Sequence, residues 1–578
     1  MLFETSLIEI HSNYAWDFEK VMRAMEFAHK NGMTGLAFHR NDFVDQLLYP
    51  TKYIGGPKEK ELYFNLTEAY DQVYRTMYKY DPTRRDNPYK KGLYFRRVLH
   101  EAKKRNLEIY IENKEINYLD CMDELYPFLR KNGAVCPSEP FLLEYVNFKY
   151  RELFATFPDI AGIITSTATG ESKTSFASNR CNCELCQKKK ASDWHKDVIM
   201  AMYEPIHAAG KKLIIRDFVF NSAAHKDISE AMDQLPKDII FSLKNTPHDY
   251  YPTFPHNPRI GKMPGRQQWI EYDTMGQYYG QGIGISIMAE DIRYRFRFAK
   301  ENGVSGVLVR TDWEAIDGHS VFETPNLLNL FLVAQANHDL NAPAEEAYDR
   351  WLCYRKFYAD NISIPERRQA IQQVMNVYGN TFEILRRTAY VHDCVFTDSS
   401  EFPASIEHGM WLAEEKNSLK DWLPSKATAL DVENVENLKS ILREKDKALE
   451  LIRQAVKNVD DLGDGLNSEG KRFVRYTISC YQLYVEAYRY ITYGIFLTRY
   501  FMLPKEKRKR EDELWAKPLL ENALNGLTEM SRKLNELFET TEYYYMVYVV
   551  LDGERVTTIR ENLCKHLAQT DYGELGRV

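Results

Sequence analysis

No stretch of the 578 residues stays apolar for the roughly 20 positions a membrane-spanning helix needs. The most apolar helix-like segment, Thr477 to Phe501, is interrupted by Glu486, Arg489 and Arg499. The start, Met1-Leu-Phe-Glu-Thr-Ser, lacks the basic region and small-residue cleavage site of a secretory leader. Cysteine is sparse: 9 residues, an odd number, with no dense framework, which favours a reducing compartment. A cytoplasmic location is therefore expected. Positive charge is not in excess either. The formal net charge of -7 does not suggest a nucleic-acid binder, for which a basic patch is expected. There is no Ser-His-Asp arrangement, HExxH, Walker loop or dinucleotide fingerprint, and no cofactor is expected. No internal repeat or low-complexity tract occurs.

What is present is ordinary in bulk: 44% hydrophobic and 28% charged residues. Single cores stop growing at roughly 250–300 residues, so a chain of this length implies at least two domains. Aromatic content is high at 13%, with 39 Tyr and 8 Trp. Such rings serve as stacking faces in sugar clefts, or they fill helical cores.

The first part of the chain alternates two patterns. Strand-like runs occur at Ser6–His11, Thr34–His39, Leu107–Glu112, Ile160–Thr165, Lys212–Phe220, Ile239–Lys244, Gln267–Tyr272 and Gly306–Arg310. Helix-like segments lie between them, as at Phe18 to Asn31 (stopped by Gly32), Leu93 to Arg105, Asp197 to Ala209 and Ile292 to Asn302. Apolar strands separated by helices indicate a parallel sheet covered on both faces. Eight such units predict a (β/α)8 TIM barrel over residues 1–337. After Asn337 the pattern changes. Ala344 to Tyr358, Pro365 to Tyr390, Val432 to Leu462, Lys471 to Phe501 and Leu514 to Glu539 read as helices, and only Tyr545 to Leu551 reads as a strand. Residues 338–578 are predicted to form an all-α C-terminal domain.

In a parallel barrel the chemistry sits at the carboxyl ends of the strands. Several apolar runs here stop at carboxylates, and two carboxylates flanking a sugar ring are what hydrolysis of a glycosidic bond needs. Glu171 follows the fourth strand and suits a general acid if burial raises its pKa; the competing reading is a surface-loop glutamate. Asp249 follows the sixth strand, in Lys244-Asn245-Thr-Pro-His-Asp249, and could activate water or cap a turn. Glu271 and Asp273 share one face of the seventh strand, where a like-charged pair pushes one pKa up. Arg216 and Lys244 could clamp an anionic group or neutralise the local acids. Asp312 and Trp313 end the eighth strand, the latter as a stacking wall. His39 ends the second, and His11 and Glu112 end the first and third. Three thiols, Cys181, Cys183 and Cys186, could bind zinc with a fourth ligand such as His195. The spacing is not that of a standard finger, and a loop stiffened by buried thiols is the favoured reading, so no metal is expected.

The block Lys244-Asn-Thr-Pro-His-Asp249, Pro255-His-Asn-Pro258, Gly261-Lys-Met-Pro264, Glu271-Tyr272 and Gln277-Tyr-Tyr-Gly-Gln281 resembles the α-glucuronidase family of glycoside hydrolases in order and spacing. Asp159 to Glu171 resembles that family's acid segment, Ile214 to Phe218 its arginine strand, and Gly303 to Trp313, less closely, its last strand. The resemblance spans Phe154 to Asn337. It implies a general acid at Glu171, a general base at Asp249, and Arg216 and Lys244 holding a uronate carboxylate, with Asn245 and Gln277 in the substrate site. It also implies inversion and a homodimer through the helical domain. Two features depart from the family. Gln277 stands where a second basic glutamate is placed, and the chain starts almost at its first barrel strand where the family has a β-rich domain. The expected activity is exo-cleavage of an α-linked uronic acid from an oligosaccharide. The alternatives are a different sugar, with Glu271 or Asp273 as base or nucleophile, and a silent carbohydrate-binding protein, for which Gln277 speaks.

Overall fold

The computed structural model describes residues 1–40, 42–48, 87–115, 118, 122–123, 126–167, 181–217, 222–316, 319–539 and 549–577. The chain forms two compact units. One comprises Met1–Asn245, Asn257–Tyr272 and Arg297–Asp317; the other comprises Thr246–His256, Asp273–Phe296 and Gly318–Val578.

The first unit is built on eight strands that close a barrel. They are β1 (Thr5–Ile10), β2 (Gly35–His39), β3 (Glu108–Glu115), β4 (Ile160–Ser166), β5 (Lys212–Asp217), β6 (Ile240–Lys244), β7 (Gln268–Asp273) and β8 (Gly306–Arg310). Neighbours in the chain are neighbours in the sheet, and β8 closes on β1 with Leu308 opposite Leu7. Helices α1 (Phe18–Lys30), α2 (Asn87–Lys104), α3 (Pro140–Thr156), α4 (Ala191–Ala208) and α5 (Ser222–Asp233) lie between strands, as the alternating sequence pattern requires. Asp17 caps α1 by accepting from the amides of Glu19 and Lys20, and Gly32 takes the left-handed conformation just past its end. The helix α3 and the ribbon Arg130–Lys131/Ala134–Val135 ahead of it were not legible as separate elements.

Strand side chains alternate in direction, so each strand sends every second residue into the barrel. Leu7, Ala37, Tyr110, Ile164, Ile214, Ile240, Trp269 and Leu308 form one buried cluster, with one residue from each strand. Large and small residues are matched within the unit. Trp269 lies over Gly306, where an added Cβ would stand 2.4 Å from the indole. Tyr110 meets the same indole edge to face at 5.7 Å. This apolar layer is the floor on which the next residues inward are arranged.

The second unit is mainly helical, with α6 (Val435–Asn458), α7 (Ser468–Phe501), α8 (Arg510–Glu539) and α9 (Gly553–Leu567) as its long elements. Asn467 caps α7 through the amide of Gly470. The segment read as one helix from Pro365 to Tyr390 is two, Ile364–Tyr378 and Thr381–Thr388, broken at Gly379-Asn380. Val549 and Val550 are helical where a strand was expected, and 545–548 lie outside the described residues. Tyrosines fill this core. Tyr481, Tyr484 and Tyr488 are buried on α7 and donate to the carbonyls of Thr381, Ser400 and Glu401 at 3.1, 2.8 and 3.0 Å. Much of the tyrosine excess is therefore structural. Among the described residues, no helix is long and apolar enough to cross a membrane.

Candidate active site at the barrel mouth

Two residues beyond each member of the apolar layer, on the same inward face, stand Glu9, His39, Glu112, Ser166, Arg216, Ser242, Glu271 and Arg310. All are polar, and all are nearly inaccessible to solvent. A second apolar layer would have made a more stable plug. A buried ring of charges at the C-terminal end of a parallel barrel is instead the arrangement of a site.

Arg216 is the centre of the ring. Its Nε and Nη2 donate to the two oxygens of Glu271 at 2.8 and 2.5 Å, a bidentate pair. Its Nη1 lies 2.7 Å from Glu112 Oε1. Ser242 donates to Glu271 Oε1 at 2.8 Å. Burial would raise the Glu271 carboxyl, but the charge and hydrogen bonds of Arg216, helped by Lys244, outweigh it and hold the group below its usual range. The rise expected for a like-charged Glu271–Asp273 pair is thus not what governs Glu271. Glu112 goes the other way. Burial pushes it well above the usual range; Arg216 opposes this, while Glu9 and Glu271 add to it.

The opposite side of the ring belongs to two histidines. His39 Nδ1 lies 2.9 Å from Glu9 Oε1 and 3.3 Å from Glu112 Oε1. His11 Nδ1 hydrogen-bonds the same Glu9 oxygen, its Nε2 lies 2.5 Å from Glu314, and the two rings are 3.6 Å apart. Burial would raise Glu9, but the charge and hydrogen bond of His11, then those of His39, hold it well below its usual range. Burial, with the charge of His11, pushes His39 well down. Glu9, His11 and His39 are close enough to share a metal ion. Their short contacts are equally those of an imidazole–carboxylate network, which needs no metal.

Asp312, just past β8, accepts the amides of His11 and Ser12 at 2.6 and 2.9 Å and so ties the end of β8 to that of β1. Burial pushes it up to about 6 in spite of those bonds. Arg310 donates to Glu314 at 3.0 Å. Lys244, two residues beyond Ser242 on the same face, is buried. Asn245 is also buried, and its amide donates to the Glu271 carbonyl at 3.1 Å. Trp313 is half-buried beside Asp312. Asp217 pairs with Arg259.

Glu171 lies outside the described residues. In the second unit, Asp273 is a turn cap. Its oxygens accept the amides of Met275, Gly276 and Gln277 at 2.9, 3.2 and 3.1 Å. Those bonds occupy the carboxylate and suit a structural role better than that of a base or nucleophile. Gln277 is buried and donates to Ser399 Oγ at 3.2 Å. Asp249 is partly exposed and adopts the left-handed backbone conformation at φ 48°. His195, proposed from sequence as a thiol partner, instead lies 2.8 Å from Thr167 Oγ1.

Sequence reasoning missed Glu9, Ser166, Ser242 and Arg310. The signal was available: each stands two residues past an apolar inward position. A cavity of about 580 Å³ lined by Phe154, Pro158, Pro205 and Lys211 sits among the outer helices. Pro158 and Lys211 precede β4 and β5, so it opens toward the amino ends of the strands and is not the site.

No protein-family model and no curated protein matches the sequence. Solved structures do. One, described as a GH138 enzyme targeting pectin rhamnogalacturonan II, is similar with a TM-score of 0.58 at 14% identity, over 92% of this chain and 63% of its own. An O-GlcNAc hydrolase from Thermobaculum terrenum has a TM-score of 0.45 at 10% identity, over 99% of this chain and 98% of its own. A β-N-acetylhexosaminidase from Bacteroides fragilis has a TM-score of 0.36 at 12% identity, over 61% and 70% of the two chains. The chain thus spans somewhat less than two thirds of the first of these structures, and shares with it the barrel fold.

Proposed function

We propose that this chain is an exo-acting glycoside hydrolase whose sugar site is the mouth of the barrel, and that it releases an α-linked uronic acid from an oligosaccharide with inversion. The observation that carries the reading is the polar ring. The buried carboxyls in it and beside it are driven in opposite directions, Glu112 and Asp312 up, Glu9 and Glu271 down. Acid–base work on a glycosidic bond uses carboxyls with unequal hold on their protons, and a wall of fixed donors and acceptors suits a hydroxyl-rich ring. The similar structure described as targeting a pectin is in keeping with a polysaccharide fragment as substrate.

The resemblance to α-glucuronidases assigns the proton donor to Glu171 and the base to Asp249, and both assignments rest on sequence. Arg216, engaged by Glu271 and Glu112, acts in this reading as a positioning residue. The side chain proposed to read the uronate is Lys244. Glu271, held by a bidentate arginine, is a poor nucleophile, which disfavours the retaining alternative. The implied homodimer through the helical unit is tested by light scattering, which would give twice the 67.8 kDa chain mass.

The test is a panel of aryl α- and β-glycosides, uronides included. The parent turns over an α-uronide. Glu171→Gln spares substrates with good leaving groups and loses those with poor ones, whereas Asp249→Asn loses both. A parent protein that hydrolyses nothing in the panel but still binds sugar would return the chain to the silent-binder reading.

A further inference from the structure

Four cysteines from two connections at the carboxyl end of the barrel converge on one point. Cys136 follows the ribbon Arg130–Lys131/Ala134–Val135, in the connection after β3. Cys181, Cys183 and Cys186 lie in the connection after β4, at and just before the short helix Glu184–Gln187. The four sulfurs all lie within 4.8 Å of one another. Cys136 Sγ is 3.6 Å from both Cys183 Sγ and Cys186 Sγ.

These distances discriminate. A disulfide requires about 2.05 Å between sulfurs, so no pair here is bonded, and all four are free thiols. Four sulfurs each about 2.3 Å from a zinc ion stand at tetrahedron corners about 3.8 Å apart. The two sulfur–sulfur distances match that edge. Cys136, Cys181 and Cys186 are buried and Cys183 is half-buried, and among the described residues Ala134 and Trp194 pack against them. Four thiols gathered at this spacing make a poor hydrophobic core and a good ligand set.

Backbone amides face three of the sulfurs, against burial that pushes the Cys136 and Cys181 thiols up. Backbone hydrogen bonds reach Cys136 from Ser138, Cys181 from Cys183 and Cys183 from Cys186. Lys131 lies near enough to feel both Cys136 and Cys183 while it pairs with Glu139 at 2.8 Å. Asn132 and Gly133 adopt left-handed conformations that turn the ribbon tightly, and Asn132 Nδ2 donates to Asn182 Oδ1 at 2.7 Å. The two cysteine-bearing segments are thus held together independently of the sulfurs.

We propose that Cys136, Cys181, Cys183 and Cys186 form a structural four-cysteine zinc site that staples the connection after β3 to the connection after β4. The four thiols give up their protons as the ion binds, and donors from the backbone and Lys131 offset the residual negative charge. All four positions are filled by protein, so the ion has no open site and takes no part in the reaction.

The test uses the full chain purified under reducing conditions without chelator. Metal analysis is expected to give one zinc per chain, released by a mercurial that titrates thiols. Cys136→Ser lowers the stoichiometry to a small fraction, whereas His195→Ala leaves it at one. Should Cys136→Ser fail to fold, cobalt substitution of the parent decides, since a tetrahedral all-thiolate site gives intense visible d–d bands and sulfur-to-cobalt charge transfer. Metal-free protein that takes up no cobalt overturns the proposal. So does zinc retained in a folded Cys136→Ser, or a red protein carrying iron in place of zinc.

Discussion

Replacing Arg216 with Met probes the ring most sharply. The substitution keeps much of the stem's volume and removes the charge that Glu271 and Glu112 share. Two buried carboxylates are then left without their cation. Removing one partner of a buried ion pair costs about 3–5 kcal/mol. Since 1 kcal/mol is worth about 2–4 °C in a unit of this size, the loss corresponds to roughly 6–20 °C in the melting temperature of the barrel at neutral pH. The sign with pH follows from linkage. In the parent, Glu271 is held below its unfolded pKa, so it contributes stability above that value, which is lost as pH falls through the folded pKa. Without Arg216, burial opposes only the weaker pull of Lys244 and raises Glu271, and Glu112 rises further, so the variant's penalty is largest at high pH and shrinks as the acids take protons. Thermal unfolding at pH 5 and pH 8 reads this directly, and the deficit is larger at pH 8. Arg216→Lys recovers part of it, because a point charge cannot span both oxygens of Glu271 as a guanidinium does. Equal deficits at both pH values, or a change of less than about 2 °C, would refute the reasoning.

Other outcomes follow from the same geometry. Gly306→Ala sets a Cβ 2.4 Å from the Trp269 indole and is expected to cost about 1–3 kcal/mol by overpacking, seen as a lower urea midpoint with unchanged slope. Asp312 holds its proton up to about pH 6, above the roughly 3.9 of an unfolded aspartate, so its contribution is present below about pH 4 and fades toward 6. Asp312→Asn removes that slope, and a stability profile unchanged between pH 4 and 6 would count against the burial argument. Asp273→Ala strips the amides of Met275, Gly276 and Gln277 of their acceptor, costs about 1–3 kcal/mol, and speeds hydrogen exchange at those three amides.

The barrel was legible because its strands are short apolar runs with helices between them, a pattern that local chemistry writes directly. The observed strands begin and end within a few residues of the predicted ones, the largest difference being β3, which continues to Glu115 past Glu112; residues 218–220, read as the end of β5, lie outside the described residues. The acids at the strand ends were legible for the same reason. Their partnerships were not. Glu271 and Asp273 look equivalent in sequence, yet one is gripped by an arginine two strands away and the other caps its own turn. Only the closed sheet, which brings β5 beside β6 and β6 beside β7, could separate them. Cys136 was missed because it sits far along the chain from Cys181, beyond α3 and β4, and no spacing rule spans that distance. The long helix read across Gly379-Asn380 shows the reverse failure, where helical periodicity continued through a break that two residues imposed.

The claim that the polar ring is a sugar site is tested most directly by a crystal structure of the protein soaked with glucuronic acid. The account predicts the sugar at the mouth of the barrel, its hydroxyls on ring residues and its carboxylate against Lys244. A sugar bound on the outer helices or at the amino-terminal floor of the barrel, with the ring untouched, would contradict it.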